Sequence, residues 1–334
     1  MGMDASMRLC GKSKPDLSIV IPVYNEERNI SQLVSELQKY IRQDKITYEI
    51  LFVDDGSSDN TWLEIKRCVD TNPNICGVRL SRNFGHQHAL LAGYTFCSGE
   101  LVISMDGDLQ HPAHLIPEMI RLCNEEKFDV ILTKRIDPVS TGWFKKFTSR
   151  SFYKVFSFLA DMNLPEGSSD FRLMNRKALD ALLELGDATL FLRGAVQWIG
   201  FKRTTIDYHA QERFSGETKY SLKRMIRFAL GAAVSFSNRP LRVGIWLGLV
   251  TGLVAFAETA YVITRYLKGQ TVPGWASLAC LISFLFGILF VLLGIIGGYL
   301  SSIHDAVKQR PRFIVADVAK RSNSSSPYNG KKSN

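Results

Sequence analysis

Charge is missing from the last third of this chain in two places. Between Trp275 and Ile303 there is no Asp, Glu, Lys, Arg or His, and between Val243 and Ile263 there is only Glu258. Apolar runs of roughly 18 residues or more are long enough to cross a bilayer as helices. The two absences argue against a wholly soluble protein and predict transmembrane helices at about 243–263 and 275–303. Cysteine is sparse as well. The six cysteines stand at positions 10, 68, 76, 97, 123 and 280, and none forms a Cys-x-x-Cys pair. That scatter predicts reduced thiols in a cytosolic domain, with neither a disulfide frame nor a zinc site. Residues 1–16 have no apolar centre, so a flexible leader is expected in place of a secretory signal. No nucleic-acid-binding motif accompanies the net charge of +9, and nucleic acid is not an expected partner.

The positive charge sits beside the apolar runs. Lys219, Lys223, Arg224, Arg227, Arg239 and Arg242 precede the first, and Lys308, Arg310, Arg312, Lys320 and Arg321 follow the second. The loop between them, Lys268 to Gly274, is short and nearly uncharged. Basic flanks stay on the cytosolic side. An integral membrane protein is therefore expected, of a bacterial inner membrane or its equivalent, with the large N-terminal domain and both termini in the cytosol. The lipid bilayer, with its anionic surface, is the expected partner of the basic residues. Two segments mix bases with aromatic or aliphatic residues and read as interfacial helices: 143–159, and the juxtamembrane stretch 219–240. The basic tail, 306–334, reads as disordered.

The region 17–218 alternates strand-like and helix-like patterns. Leu17–Pro22, Tyr48–Val53, Val78–Leu80, Leu101–Met105 and Asp129–Thr133 read as strands, with helices predicted at Glu27–Arg42, His88–Phe96 and His114–Cys123. Such alternation predicts an α/β fold with a Rossmann-like, mainly parallel sheet. Ligands of these sheets bind beyond the carboxyl ends of the strands. Three polar clusters fall there: Tyr24-Asn25-Glu26, Asp54-Asp55 and Asp106-Gly107-Asp108. Asp106 and Asp108, one residue apart after an apolar strand, can turn toward one point. Mg²⁺ is usually held by one or two carboxylates plus substrate phosphates. Gln110 offers a further oxygen. His86, His88 and His111 lack metal-ligand spacing, although His111 adjoins the acidic pair.

The motifs form a set. Ile21-Pro22-Val23-Tyr24-Asn25-Glu26-Glu27, Val53-Asp54-Asp55-Gly56-Ser57, Leu80-Ser81-Arg82-Asn83-Phe84-Gly85, Asp106-Gly107-Asp108-Leu109-Gln110, Ser169-Asp170-Phe171-Arg172 and Arg213-Phe214-Ser215-Gly216-Glu217-Thr218-Lys219-Tyr220 together resemble glycosyltransferase family 2 in its GT-A fold. With the two-span tail, the chain closely resembles the polyisoprenyl-phosphate glycosyltransferases over roughly residues 17–310. The resemblance implies a nucleotide-sugar donor, a polyprenyl-phosphate acceptor and Mg²⁺ or Mn²⁺. It implies Pro22, Tyr24, Glu26, Asp106 and one of Asp54 and Asp55 at the nucleotide. It implies Asp106, Asp108 and Gln110 at the metal, and Arg213 and Lys219 at the diphosphate. Arg135 and Arg150 resemble the contacts to the lipid phosphate, with Lys146 a weaker candidate. Asp170 matches the family's acid/base position, as a base, a positioning group or the ion-pair partner of Arg172.

The expected reaction is inverting transfer of a sugar, with UDP-glucose the first expectation for the donor. A processive polysaccharide synthase would carry Gln-x-x-Arg-Trp, which is absent here. A catalytically dead scaffold would not need Asp106, Asp108, Asp170 and Arg213 intact. Gly287, Gly294, Gly297 and Gly298 permit close approach of helices, so a homo-oligomer is expected.

Overall fold

The computed structural model describes residues 9–10, 14–41, 46–136, 168–185, 192–209, 239–269, 274–308 and 310–321. Strand β1 (Leu17–Val23) is buried along its whole length. A continuous apolar run is what a strand covered on both faces requires. It is followed by α1 (Ile30–Ile41), β2 (Tyr48–Asp54), α2 (Thr61–Thr71), β3 (Ile75–Leu80), α3 (His86–Phe96) and β4 (Leu101–Ser104). A 3₁₀ turn at Ala113–Leu115 leads into α4 (Ile116–Asn124), then β5 (Val130–Ile136), β6 (Ser168–Asn175), α5 (Arg176–Glu184), α6 (Leu192–Trp198) and β7 (Arg203–His209).

The sheet runs β7-β5-β6-β4-β1-β2-β3-β8, where β8 is Val315–Ala319. β1 pairs in parallel with β2 and β4, β2 with β3, and β5 with β7. β6 runs antiparallel between β4 and β5, and β8 antiparallel on β3. The sheet is mixed around a parallel centre. Alternate strand residues face opposite layers. Ile19, Ile21, Ile50 and Phe52 pack with apolar residues of α1, α2 and α4. Val20, Leu51 and Val53 pack with those of α3, α5 and α6. Gly93 makes one of these contacts possible, because a Cβ there would lie 2.1 Å from Val20 Cγ1. The close seat of α3 on β1 carries His86, its first residue, to the carboxyl edge of the sheet.

Three readings are corrected. The thiols were expected reduced, yet Cys10 and Cys76 form a disulfide, their Cα atoms 5.7 Å apart across a sequence separation of 66. Burial of Cys10 on the sheet produces a proximity that spacing does not reveal. The leader, read as flexible, is tied down near its end: Lys14 pairs with Glu100, and Asp16 Oδ2 accepts from Thr47 N at 2.8 Å. The tail, read as disordered, supplies β8. Its Asp317 pairs with Lys66 at 2.9 Å and accepts from Trp62 Nε1 at 3.1 Å.

Helices α7 (Arg239–Leu267) and α8 (Trp275–Lys308) have 29 and 34 residues. At 1.5 Å per residue both exceed a hydrocarbon core of about 30 Å. Leu241–Leu267 and Phe284–Lys308 are long and apolar enough to cross a membrane. Gly244 faces α8, where a Cβ would meet Leu292 Cδ2 at 3.1 Å. Among the described residues, a Cβ on Gly287, Gly294 or Gly297 would meet nothing within 4 Å.

Candidate active site

The carboxyl ends of β1, β2 and β4 surround a cleft of about 320 Å³. Pro22, Tyr24, Glu26, Asp55, Asp106 and Asp108 line it, joined by Asn83 and Gly85 from the loop between β3 and α3 and by His86 at the start of α3. The three polar clusters thus meet, as the strand-end argument requires.

Tyr24 is 46% exposed, so its ring is available to a ligand. The turn after it places Asn25 at φ 56°, a left-handed conformation that Asn tolerates. Its Oδ1 accepts from Ser58 N at 2.9 Å, and its N–H donates to Ser57 Oγ at 2.9 Å. Glu26 is held by Thr61 Oγ1, which accepts from its backbone N–H at 2.8 Å. Its Oε2 accepts from Asn29 Nδ2 at 2.5 Å.

Asp54 and Asp55 separate into two roles. Asp54 is fully buried and does not line the cleft. Its Oδ1 accepts from Ser57 N at 2.9 Å, and its Oδ2 lies 3.2 Å from Arg79 Nε. Asp54 therefore shapes the turn, and Asp55 is the one of the pair that meets the cleft. Its two oxygens accept from Phe84 N at 2.7 Å and Gly85 N at 2.9 Å, clamping the Arg82–Gly85 loop. Burial raises the Asp55 pKa, against those two N–H donors and His88, which act to lower it. His88 is half-buried, and burial lowers its pKa.

Asp106 follows β4, and its Oδ1 is buried without a hydrogen bond. His86 Nε2 lies 3.4 Å from that oxygen. An orphaned carboxylate oxygen beside Asp108 suits an oxygen-seeking divalent cation. Leu109, at φ 61°, turns the chain between Asp108 and Gln110, and Gln110 N donates to Asp108 Oδ1 at 3.1 Å. A left-handed Leu is uncommon, and such strain concentrates at ligand sites. Gln110, expected at the metal, is buried outside the cleft lining, and its Oε1 accepts from Arg135 Nη1 at 3.1 Å. Arg135, expected at the lipid phosphate, is thus anchored to the acidic loop.

His111 is a strut behind the acids. Its Nδ1 accepts from Asp106 N at 2.9 Å, which leaves the proton on Nε2, 3.0 Å from Ser169 Oγ. The ring stacks on Phe171 with centroids 5.1 Å apart. Its place directly after the Asp106–Gln110 motif in the sequence was the signal for this role.

Asp170 is 3% exposed and ringed by donors. Arg172 Nη2 donates to Oδ1, as does Arg193 Nε at 3.1 Å. Arg193 Nη2 donates to Oδ2 at 2.7 Å, and Gln87 Nε2 does so at 3.3 Å. His86 Nε2 lies 3.4 Å from the same oxygen. Burial alone would raise the Asp170 pKa. Arg172, His86 and Arg193 together hold it well below the carboxylate range instead. His86 moves the other way: burial acts to lower its pKa, but Asp170 and Asp106 leave it raised. His86, Gln87 and Arg193 were missed by sequence reasoning, since only the packing of α3 and α6 on the sheet brings them to Asp170. Arg150, Arg213, Lys219 and Lys146 lie outside the described residues, as do segment 143–159 and most of 219–240.

The profile of Glycosyl transferase family 2 matches residues 18–183. An uncharacterized glycosyltransferase of Synechocystis is 39% identical over 304 residues, covering 91% of this chain and 95% of its own. A prophage bactoprenol glucosyl transferase homolog of Escherichia coli K12 is 33% identical, covering 91% and 99%. A bactoprenol glucosyl transferase of Shigella phage SfII is 33% identical, covering 90% and 97%. Among solved structures, mannosyl-3-phosphoglycerate synthase from Rubrobacter xylanophilus aligns with a TM-score of 0.48 at 16% identity, over 68% of this chain and 74% of that one.

Proposed function

This chain belongs to glycosyltransferase family 2, and from that membership we propose that it moves a hexose, with UDP-glucose as first donor, onto a polyprenyl phosphate at a membrane surface. The observation that carries the proposal is the cleft, where Asp106 and Asp108 stand beside Tyr24 and Asp55. A nucleotide sugar needs both halves of it: an aromatic face and acceptors for the nucleoside, and charge management for the diphosphate. The likeness to bactoprenol glucosyl transferases over nearly the whole chain supports a lipid phosphate as acceptor. Two helices long and apolar enough to cross a membrane support the same acceptor, whose tail needs a bilayer.

In the proposed reaction a phosphate oxygen of the lipid attacks the anomeric carbon from the face opposite the nucleotide. The bond to the diphosphate breaks, the configuration inverts, and a nucleoside diphosphate leaves. Asp106 and Asp108 are the proposed holders of Mg²⁺ or Mn²⁺, a role the orphaned Asp106 Oδ1 favours. Bound there, the ion would supply Lewis-acid stabilisation of the departing diphosphate. Arg213 and Lys219 are proposed to close on the diphosphate, and Arg135 and Arg150 to meet the lipid phosphate. The acceptor is already anionic, so its attack needs little base assistance. That suits Asp170, whose depressed pKa makes it a poor proton acceptor at neutral pH. Its proposed role is to orient His86 and Arg193. Both termini are proposed to be cytosolic, and the open glycines of α8 to meet a second copy.

A screen of labelled UDP- and GDP-sugars, with the full chain in detergent, Mg²⁺ and polyprenyl phosphate, tests the proposal. Organic-extractable label is expected from UDP-glucose. Label from another donor would move the sugar assignment, and none from any donor would overturn the reading.

A further inference from the structure

The cleft occupies one edge of the sheet. A second cavity, of about 280 Å³, opens at the opposite edge, where β2 and β3 begin. Cys10, Tyr48, Glu49 and Asn74 are among its walls. Glu49 is 3% exposed. Its Oε1 accepts from Ser18 Oγ at 2.5 Å, Ser98 N at 2.7 Å and Ser98 Oγ at 3.1 Å. Its Oε2 has no hydrogen bond, and Glu49 has no ion pair, among the described residues. Glu49 lines the cavity, so Oε2 is placed to meet a ligand entering from it. Beside Glu49 lie two sulfurs. Cys10 Sγ, Cys76 Sγ and a Glu49 carboxylate oxygen are buried and within 4.8 Å of one another.

We propose that, when Cys10 and Cys76 are reduced, these three side chains bind a divalent transition metal of zinc's class, with the Cys10–Cys76 disulfide as the metal-free alternative. Two thiolates and one carboxylate are a zinc donor set, and a water completes four-coordination. Thiolate donors separate this site from Asp106 and Asp108, whose oxygens suit harder ions. The metal supplies the positive charge that Glu49 lacks and keeps both sulfurs deprotonated. Exchange between the two states needs an external disulfide. The Cys10 and Cys76 thiolates pass two electrons to it and bond to each other, its own S–S bond breaks, it leaves as two thiolates that take their protons from water, and the metal loses both sulfur donors and is released. Either state ties the segment before β1 to β3.

Cobalt(II) titration of the full-length protein in detergent tests this, because thiolate-to-cobalt charge-transfer absorption does not arise from an aspartate site. The reduced protein is expected to develop that absorption at one equivalent and to lose it on addition of Zn²⁺. Protein oxidised to the disulfide should develop none, a comparison that needs no variant. Cys10→Ser and Cys76→Ser should abolish the band, and Glu49→Gln should weaken cobalt binding by about tenfold or more. No band in the reduced protein, or an unchanged band in either serine variant, would overturn the proposal.

Discussion

Two guanidinium groups converge on the Asp170 carboxylate in a nearly dry site. An acid with a depressed folded pKa adds stability above its unfolded value near 3.9 and loses it as pH falls through the folded value. The rate–pH profile should therefore show no limb from Asp170 between about pH 5 and 8. Asp170→Asn should instead lower stability by about 3–5 kcal/mol, because it strands buried Arg172. Thermal melting in detergent reads the loss, and a profile limb that disappears in the variant would restore Asp170 as a base. Asp108→Ala acts on chemistry, and a drop in kcat of roughly 10²–10³ is expected from losing one such electrostatic group, with the melting temperature retained. The acids at the cleft were legible as residues because each ended an apolar run. The division between Asp54 and Asp55 was not, since neighbours in sequence point to opposite sides of a strand.

At the scale of elements, β1, β2 and β4 were legible because parallel strands covered on both faces read as unbroken apolar runs. β8 was not: Val315-Ala316-Asp317-Val318-Ala319 is short, carries a charge and follows a membrane-like segment. Its position has a consequence for the cleft. Ser81 N donates to Ile314 O at 2.9 Å, just before the loop that Asp55 clamps. Deleting residues 310–334 should loosen that loop and raise the KM for the donor, with a measurable fall in melting temperature. An unchanged KM would separate β8 from the site. The contact between α3 and β1 gives a second check. Gly93→Ala inserts a methyl group where Val20 already sits, and overpacking of this kind costs about 1–3 kcal/mol. Thermal melting should show that loss, and donor turnover should fall with it as His86 shifts. The disulfide partners were illegible for the same reason as Arg193: contacts between distant segments leave no mark on local pattern.

The whole molecule joins a nucleotide-sized cleft to two helices that can cross a bilayer, and the chain returns from the second helix to the catalytic sheet. Only six residues separate Lys308 from Val315. Such a design suits the proposed substrate pair, of which one member is soluble and the other is lipid. The two long apolar helices were legible from the absence of charge, and the donor's sugar was not, because no residue in the cleft distinguishes one hexose from another by type alone. The most direct test follows label from UDP-glucose in parallel reactions with the wild-type chain, with Asp108→Ala, and with polyprenyl phosphate left out. The account predicts organic-extractable label only from the wild type with the lipid phosphate present. Undiminished label with Asp108→Ala, or label accumulating in a water-soluble polymer without the lipid, would contradict it.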